Sequence, residues 1–271
     1  MITDIVLDHV AVAAEQLAVT WPRDAGDLAG RYVSGGGGSD GFTASVFEYE
    51  GGMCLEVLEP YQVERNDFLR RFLDHTGPAP HHLTFKVADL RAAIAEVEAA
   101  GISPVGVDLE APYWKEAFLH PKQARGVVVQ LAQVAGQDRP PRLPDTLPAP
   151  RVPAPAALAH VAHAVADLDD GLAQFEDLLG GRRVDEGRDD DARWVELAWP
   201  GAGRVRLLAP DTPDGGEIAA WLAGRPGRVH HIAFRVQDPA GVAGAVPLGD
   251  DRWEVPPEAN LGVRLRLQPP P

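Results

Sequence analysis

The chain has 271 residues, of which 40 are acidic and 25 are basic, so its formal net charge is −15. Such a charge repels phosphate backbones and anionic lipid headgroups, which excludes nucleic acid and membrane surfaces as expected partners. A single cysteine, Cys54, excludes an intrachain disulfide and any metal site built from several cysteines.

The first half of the chain predicts several strands and one well-defined helix. Short apolar runs bounded by turn residues predict strands over 9–13, 42–49 and 54–58. The four glycines at 35–38 predict a flexible turn before the second of these strands. Residues 88–100 have helical spacing, with Asp89 placed to cap the helix and Gly101 placed to end it.

The second half of the chain repeats the first. Three segments recur in the same order and at nearly the same spacing, so that His9, Glu56 and His82 correspond to His160, Arg206 and His231. Residues 167–179 again predict a helix, with Gly180 after it. This recurrence indicates a duplicated domain.

Within each copy, the order strand, helix and several strands occurs twice. The sequence therefore predicts an α+β fold of four βαβββ units, two in each domain. Between the copies, seven prolines over 137–155 disfavour both a helix and a central strand and indicate a semi-rigid linker. The predicted boundaries are 1–136 for the first domain, 137–155 for the linker and 156–271 for the second domain.

Polar residues stand at corresponding points of four strands in the first copy, namely His9, Glu56, His82 and Gln130. A carboxylate between apolar neighbours on a strand is costly to bury without a partner, so Glu56 requires a cation. Two imidazoles and a carboxylate suit a divalent transition metal, and an amide oxygen completes the set. We therefore expect one such metal, chosen from zinc, nickel, cobalt, manganese and iron, and no organic cofactor.

These segments resemble the vicinal oxygen chelate superfamily, and most closely its glyoxalase and methylmalonyl-CoA epimerase branch. The resemblance covers residues 5–133 and rests on the sequences around His9, Glu56, His82 and Gln130. It implies that each domain is a pair of βαβββ units whose strands form an open cup around one metal. It also implies that the metal is held by His9, Glu56, His82 and the position of Gln130.

The chain departs from the family pattern at Gln130, where the family usually has a glutamate that serves as both ligand and base. An amide cannot take a proton at neutral pH, so Glu56 is the predicted catalytic base. Asp40 is the nearest candidate for the second carboxylate that the epimerases use one strand earlier.

The second copy departs further, because its corresponding positions are His160, Arg206, His231 and Arg266. Guanidinium groups repel a metal, so this copy is predicted either to bind an anion through these residues or to serve as a scaffold.

Three functions stay open from the sequence. The first is a metal-dependent lyase or isomerase that acts on a small oxygen-chelating substrate through an enediolate or enolate. The second is a metal-free protein that binds a small molecule, of the bleomycin-resistance type, and the third is an extradiol dioxygenase. No membrane span or signal peptide is recognisable, so a cytoplasmic monomer or homodimer is expected.

Overall fold

A computed structural model describes residues 1–134, 143–189, 191–213 and 215–271, with only the backbone described at 36–39. It contains two sheets of eight strands each, one formed by each half of the sequence. The strands of the first sheet are β1 Ile5–Ala13, β2 Arg31–Ser39, β3 Gly41–Glu48, β4 Cys54–Tyr61, β5 Ala79–Val87, β6 Val105–Asp108, β7 Trp114–Leu119 and β8 Val128–Val134. The strands of the second sheet are β9 Ala157–Val165, β10 Arg182–Arg188, β11 Ala192–Ala198, β12 Arg204–Pro210, β13 Gly227–Arg235, β14 Val246–Gly249, β15 Arg252–Val255 and β16 Leu265–Gln268.

Both sheets have the same topology. The strand order is β2-β3-β4-β1-β5-β8-β7-β6 in the first sheet and β10-β11-β12-β9-β13-β16-β15-β14 in the second. β1 pairs with β4 in parallel, as does β5 with β8, whereas the outer strands form antiparallel meanders. The predicted α+β fold of four βαβββ units is thereby confirmed, and the four parallel pairs lie at the centres of the sheets.

The helices are few and short. The α-helices are α1 Phe68–Thr76, α2 Leu90–Ala99, α3 Leu168–Leu172 and α4 Gly216–Leu222. π-Helical segments cover Pro22–Asp27 and, directly after α3, Ala173–Leu178. The predicted caps of the second and third helices are confirmed, because the side chains of Asp89 and Asp167 each accept two backbone N–H hydrogen bonds. Within the described ranges, no helix is long and apolar enough to cross a membrane.

The predicted turn at 35–38 is wrong. β2 runs through these glycines to Ser39 and pairs with β3, with a shift in register between Gly35 and Gly38. Glycine is uncommon within strands, so the run of glycines indicated a turn. In this strand the glycines lie at a bulge-like irregularity, where glycine is typical. Gly35 has φ +147°, which suits such an irregular ladder.

The proline-rich segment lies between the two sheets in sequence. Its residues 137–142 lie outside the described residues, and the structure assigns neither helix nor strand to 143–155. The end of this segment and the residue that follows it are hydrogen-bonded to the π-helical region after β1. Arg151 N donates to the Gly26 carbonyl, and Ala156 N donates to the Leu28 carbonyl.

The chain forms two compact units that do not follow the order of the sequence. One unit consists of 1–8, 82–138 and 160–230, and contains β6–β8, β10–β12 and α2–α4. The other consists of 9–81, 139–159 and 231–271, and contains β2–β4, β14–β16 and α1. Each unit thus combines segments from both halves of the chain, and the predicted domain boundaries stay a prediction.

Candidate metal centre

His9 and Glu56 lie on the same face of the first sheet. Ala11 is paired with Glu56 in the parallel register of β1 and β4, and His9 is two residues before Ala11. Since side chains alternate along a strand, all three point to one face. The Nε2 atom of His9 lies 3.4 Å from Oε2 of Glu56, and the imidazole is buried.

His82 completes a group of three. β5 is the neighbour of β1 on the side away from β4, and it carries His82, which is also buried. One ligand atom from each of His9, Glu56 and His82 lies within 4.8 Å of the other two. The structure therefore brings together three of the four predicted ligands.

The spacing of these atoms fits a transition metal. Ligand bonds of about 2.0–2.2 Å, as zinc makes to histidine and carboxylate, place neighbouring ligand atoms about 3–3.5 Å apart. The 3.4 Å between His9 and Glu56 agrees with this value. The other pairs of ligand atoms are at most 4.8 Å apart, so binding of one metal by all three residues requires these atoms to move closer together. Donor chemistry and spacing thus both fit a divalent cation.

Gln130 lies on the same face, but its amide is hydrogen-bonded on both sides. In the register of β5 and β8, Thr84 is paired with Gln130, and Thr84 is two residues after His82. The Thr84 hydroxyl donates to Oε1 of Gln130 at 2.6 Å, and Nε2 of Gln130 donates to Oε2 of Glu116 at 2.6 Å. The oxygen predicted to bind the metal is therefore already an acceptor.

Glu116 is a carboxylate that the sequence reasoning missed. It lies on β7, and its Oε2 accepts hydrogen bonds from Gln130 and from Nε1 of Trp114, the latter at 3.0 Å. Two N–H donors fix its orientation. In the sequence, Trp114 and Glu116 alternate and therefore share one face of a strand. That pattern alone does not show that Glu116 reaches Gln130, because this contact depends on the register of β7 and β8.

The histidine beside His82 lies outside this group. His81 packs edge-on against Phe72, with ring centroids 4.7 Å apart, and against Phe68. Burial lowers the pKa of His81 to about 4, although the charge of Glu56 acts in the opposite direction. His81 therefore stays neutral around pH 7, as a packed structural side chain does.

Asp40, the predicted second base, forms an ion pair with Arg65 at 3.2 Å, and both side chains are more than half exposed. Its carboxylate is thus engaged at the surface.

In the second sheet, a glutamate accompanies Arg206. Arg206 donates from Nε and from one Nη to Oε2 of Glu196, at 3.0 and 2.7 Å, and its guanidinium lies 4.2 Å from the Trp194 ring centroid. His160 Nδ1 lies 3.6 Å from the same Glu196 oxygen. Glu196 is paired with Arg206 across β11 and β12, where the first sheet pairs Val46 with Glu56.

Arg266 has a similar partner. It lies 3.0 Å from Oε2 of Glu254 on β15, with Arg264 at 4.0 Å from the same oxygen. Arg266 is paired with Ala233, two residues after His231, just as Gln130 is paired with Thr84 after His82. The sequence correspondence of Gln130 and Arg266 is thereby confirmed. Each predicted anion-binding arginine is thus close to a glutamate on the adjacent strand, which neutralises much of its charge.

The comparison with protein families gives a match in the second half of the chain. Residues 159–247 match the family described as Glyoxalase/Bleomycin resistance protein/Dioxygenase superfamily. Over these residues the chain is similar to members of this superfamily. The match falls on the second copy, whose polar residues depart furthest from the pattern. No curated protein sequence matches the chain.

Solved structures that align with this chain include a larger and a smaller protein. A triple mutant of 4-hydroxymandelate synthase from Streptomyces coelicolor aligns with a TM-score of 0.61 and 17% identity, over 88% of this chain and 72% of that chain. This likeness shows the fold alone. Methylmalonyl-CoA epimerase from Mycobacterium tuberculosis aligns at 25% identity over 50% of this chain and 93% of that chain, with a TM-score of 0.43.

Proposed function

We propose that the chain is a metal-dependent lyase or isomerase of the glyoxalase and epimerase type, acting on a small substrate with adjacent oxygen atoms. The observation that carries this proposal is the convergence of His9, Glu56 and His82 within 4.8 Å. Three protein ligands with further positions open to water or substrate are typical of catalytic metal sites. A bound divalent metal supplies Lewis acidity toward the substrate oxygens.

The proton transfer is assigned to the carboxylates of this face. Glu56 is the proposed base, because a carboxylate ligand can release a metal and accept a proton. Glu116 is a second candidate, since Gln130 and Trp114 orient its carboxylate. In this arrangement the amide of Gln130, which stands where the family usually has a glutamate, orients Glu116 by a hydrogen bond.

The test is elemental analysis by mass spectrometry of the full chain, purified without chelator or metal affinity resin. We expect about one transition metal per chain. The variant His9→Ala/His82→Ala should lose it, whereas His75→Ala, which alters an exposed histidine, should retain it. Retention of metal would justify screening α-hydroxycarbonyl and acyl-CoA substrates.

Absence of metal after reloading with nickel, cobalt, zinc, manganese and iron would contradict the proposal. The metal-free small-molecule binding protein of the bleomycin-resistance type would then be the better assignment.

An oxygenase is the second candidate. Two histidines and one carboxylate form the ligand set of non-haem Fe(II) oxygenases. Because the side-chain oxygen of Gln130 already accepts a hydrogen bond, the remaining ligands His9, Glu56 and His82 match this set. Oxygen consumption by iron-loaded protein in the presence of a catechol would favour this candidate. Proton exchange of a substrate without oxygen consumption would favour the lyase or isomerase.

A further inference from the structure

A cavity of about 250 Å³ lies on the other face of the first sheet, away from the predicted metal ligands. Val12 of β1 and Leu55 of β4 line it. Leu55 is adjacent to Glu56, and Val12 is three residues from His9, so both side chains point opposite to the ligands. All residues that line the cavity belong to one compact unit, so the cavity is a feature of that unit alone.

Most of the cavity wall is apolar. Ile232 and Phe234 of β13, together with Val263 and Leu265, contribute hydrocarbon surface. Such a wall favours a hydrocarbon group over a sugar or another polyol. Since a water molecule takes up about 30 Å³ of liquid, the volume of this cavity suits a ligand of about eight non-hydrogen atoms.

The charged groups at the cavity do not balance. Its lining includes two guanidinium groups, Arg23 and Arg151, and two carboxyl groups, Asp24 and Asp27. Both guanidinium groups are bonded to Asp27, because Arg23 donates to Oδ2 at 2.6 Å and Arg151 donates to Oδ1. Desolvation raises the pKa of Asp24 to about 7, so its carboxyl is neutral at lower pH. Two cations then share one anion, and one positive charge at the cavity is uncompensated.

Arg151 is the cation that a ligand can reach. The side chain of Arg23 is only 13% exposed, and its guanidinium nitrogens donate to Asp27, to Asn260 at 3.1 Å and to the Ala243 carbonyl at 2.6 Å. The side chain of Arg151 is 55% exposed. Within the described ranges its guanidinium donates through one Nη, to Asp27, which leaves the other Nη able to donate to a ligand.

The two arginines also repel each other. Burial lowers the pKa of Arg23, and the charge of Arg151 acts in the same direction. An anion beside Arg151 therefore relieves an unfavourable interaction, whereas a second cation would add to it.

We propose that this cavity binds a small monocarboxylate with a hydrocarbon chain. The carboxylate accepts a hydrogen bond from Arg151 where the cavity meets solvent, and the hydrocarbon chain packs against Ile232 and Phe234. An ionised carboxylate supplies the missing negative charge, and a hydrogen bond between arginine and a carboxylate is stronger than one between neutral groups. This inference does not depend on the proposed function, because the cavity shares no side chain with the metal centre.

The test uses hexanoate as the probe and hexanamide as its neutral counterpart of nearly the same shape. Isothermal titration of the chelator-treated full chain at pH 6, where Asp24 keeps its proton, should give one saturable hexanoate site per chain. Hexanamide should bind at least about tenfold more weakly, because a charge-assisted hydrogen bond accounts for about tenfold to hundredfold in affinity. Butyrate, which has two fewer methylene groups, should bind about tenfold more weakly than hexanoate.

Substitution of Arg151 separates the charge from the shape of the cavity. Arg151→Gln should remove the preference for hexanoate over hexanamide and leave the affinity for hexanamide unchanged, which also shows that the variant is folded. Arg151→Lys keeps the positive charge and should lose less affinity than Arg151→Gln. Arg65→Gln is the matched control, since Arg65 has a similar exposure and pairs with Asp40 elsewhere in the same unit. It should bind hexanoate as the wild type does.

Two further variants locate the site. Ala259→Phe adds bulk at an exposed position of the cavity wall and should weaken the binding of hexanoate and hexanamide alike. His9→Ala/His82→Ala alters the metal centre and should retain hexanoate binding. A failure of the metal proposal is thereby distinguished from a failure of this one.

Four results would overturn the proposal. They are an absence of saturable binding at millimolar hexanoate, equal affinity of the wild type for hexanoate and hexanamide, unchanged hexanoate affinity in Arg151→Gln, and unchanged hexanoate affinity in Ala259→Phe. If Arg206→Gln lost hexanoate binding while Arg151→Gln retained it, the carboxylate site would lie in the second sheet.

Discussion

Glu56 is the anionic member of the three predicted ligands, and it is mostly shielded from solvent beside His9. Glu56→Gln keeps the shape of the side chain and removes the charge. We expect metal affinity to fall at least about tenfold, since one anionic ligand becomes a weak neutral one. The fold should be retained, as circular dichroism would show. Competition with a chromophoric chelator measures the affinity.

Glu64→Gln, on the exposed chain after β4, is the matched control and should bind metal as the wild type does. Equal metal affinity in Glu56→Gln and the wild type would remove Glu56 from the ligand set.

The contact of Gln130 with Glu116 gives a second prediction. Gln130→Glu restores the residue typical of the superfamily but places two carboxylates where a 2.6 Å hydrogen bond now lies. Without metal, we expect this variant to lose about 1–3 kcal/mol of unfolding free energy, because a hydrogen bond becomes a like-charge contact. Urea denaturation in the presence of a chelator measures the loss.

Exchanging the two side chains, in Gln130→Glu/Glu116→Gln, should recover most of that stability, since donor and acceptor are again opposite each other. A double variant no more stable than Gln130→Glu would show that the Glu116 contact does not determine the cost.

At the residue scale, the corresponding positions of His9, Glu56 and His82 in their strands, together with the family resemblance, were sufficient to predict that they share one face. Hydrogen-bond partners could not be predicted in the same way. Glu116 lies on the strand next to that of Gln130, and Glu254 lies on the strand next to that of Arg266. Only the strand register shows that each glutamate reaches the side chain on its neighbouring strand. Asp24 lies in a π-helical turn that has no recognisable sequence pattern, and its burial depends on segments distant in sequence.

At the element scale, the helix caps supply an internal comparison. Asp89 accepts hydrogen bonds from the backbone N–H groups of Arg91 and Ala92, at 2.9 and 3.1 Å, whereas Asp67 begins α1 without a side-chain cap bond. Asp89→Ala should therefore cost about 1 kcal/mol of unfolding free energy. Asp67→Ala should cost only about 0.3–0.5 kcal/mol, through its exposed ion pair with Arg71.

Thermal or urea unfolding of the two variants under the same conditions checks this order. A larger loss in Asp67→Ala than in Asp89→Ala would contradict it.

The elements that sequence reasoning placed well are those with a local signal. The helix over Leu90–Ala99 has a cap, an apolar face and a terminating glycine, and it was predicted to within two residues at each end. By contrast, α1 and α4 were not predicted, and the glycine-rich part of β2 was taken for a turn. β2 is a strand because β3 lies beside it, and pairing across a sheet is not recorded in the local sequence.

At the scale of the whole molecule, two buried groups make the stability depend on pH in opposite directions. Burial lowers the pKa of His163 from 6.5 to about 4, and its Nε2 donates to the Arg125 carbonyl at 2.8 Å. Between pH 4 and 6.5, His163 is protonated in the unfolded chain but neutral in the folded chain. The free energy of unfolding therefore falls as the pH falls from 6.5 to 4. The pKa of His81 is lowered in the same way.

Asp24 affects the pH dependence of stability in the opposite direction, because folding raises its pKa from 3.8 to about 7. Between these values the folded chain keeps a proton that the unfolded chain has lost, and stability falls as the pH rises. The contributions of His163 and Asp24 to the unfolding free energy therefore partly cancel between pH 4 and 6.5.

Removing one group should reveal the other. His163→Gln keeps a donor for the Arg125 carbonyl, and its unfolding free energy should rise less steeply than that of the wild type as the pH rises from 4 to 6.5, because Asp24 then opposes His81 alone. Asp24→Asn should show the opposite change, a steeper rise than that of the wild type over the same range. His75→Gln, at an exposed position, should follow the wild type. Urea titrations at several pH values measure the slopes, and parallel curves for all four proteins would contradict the assignment.

The close approach of Gly126 and Gly227 has a consequence for how the two copies can diverge. A Cβ atom on Gly126 would lie 1.8 Å from the Gly227 carbonyl oxygen, and one on Gly227 would lie 2.0 Å from the Arg125 carbonyl oxygen. Neither glycine can be replaced unless the backbone of the other copy moves. After a gene duplication, the ligands of one copy are free to mutate, but such contact positions are not. Replacement of the ligand positions in the second copy is therefore compatible with strict inheritance of the segments that fit it to the first.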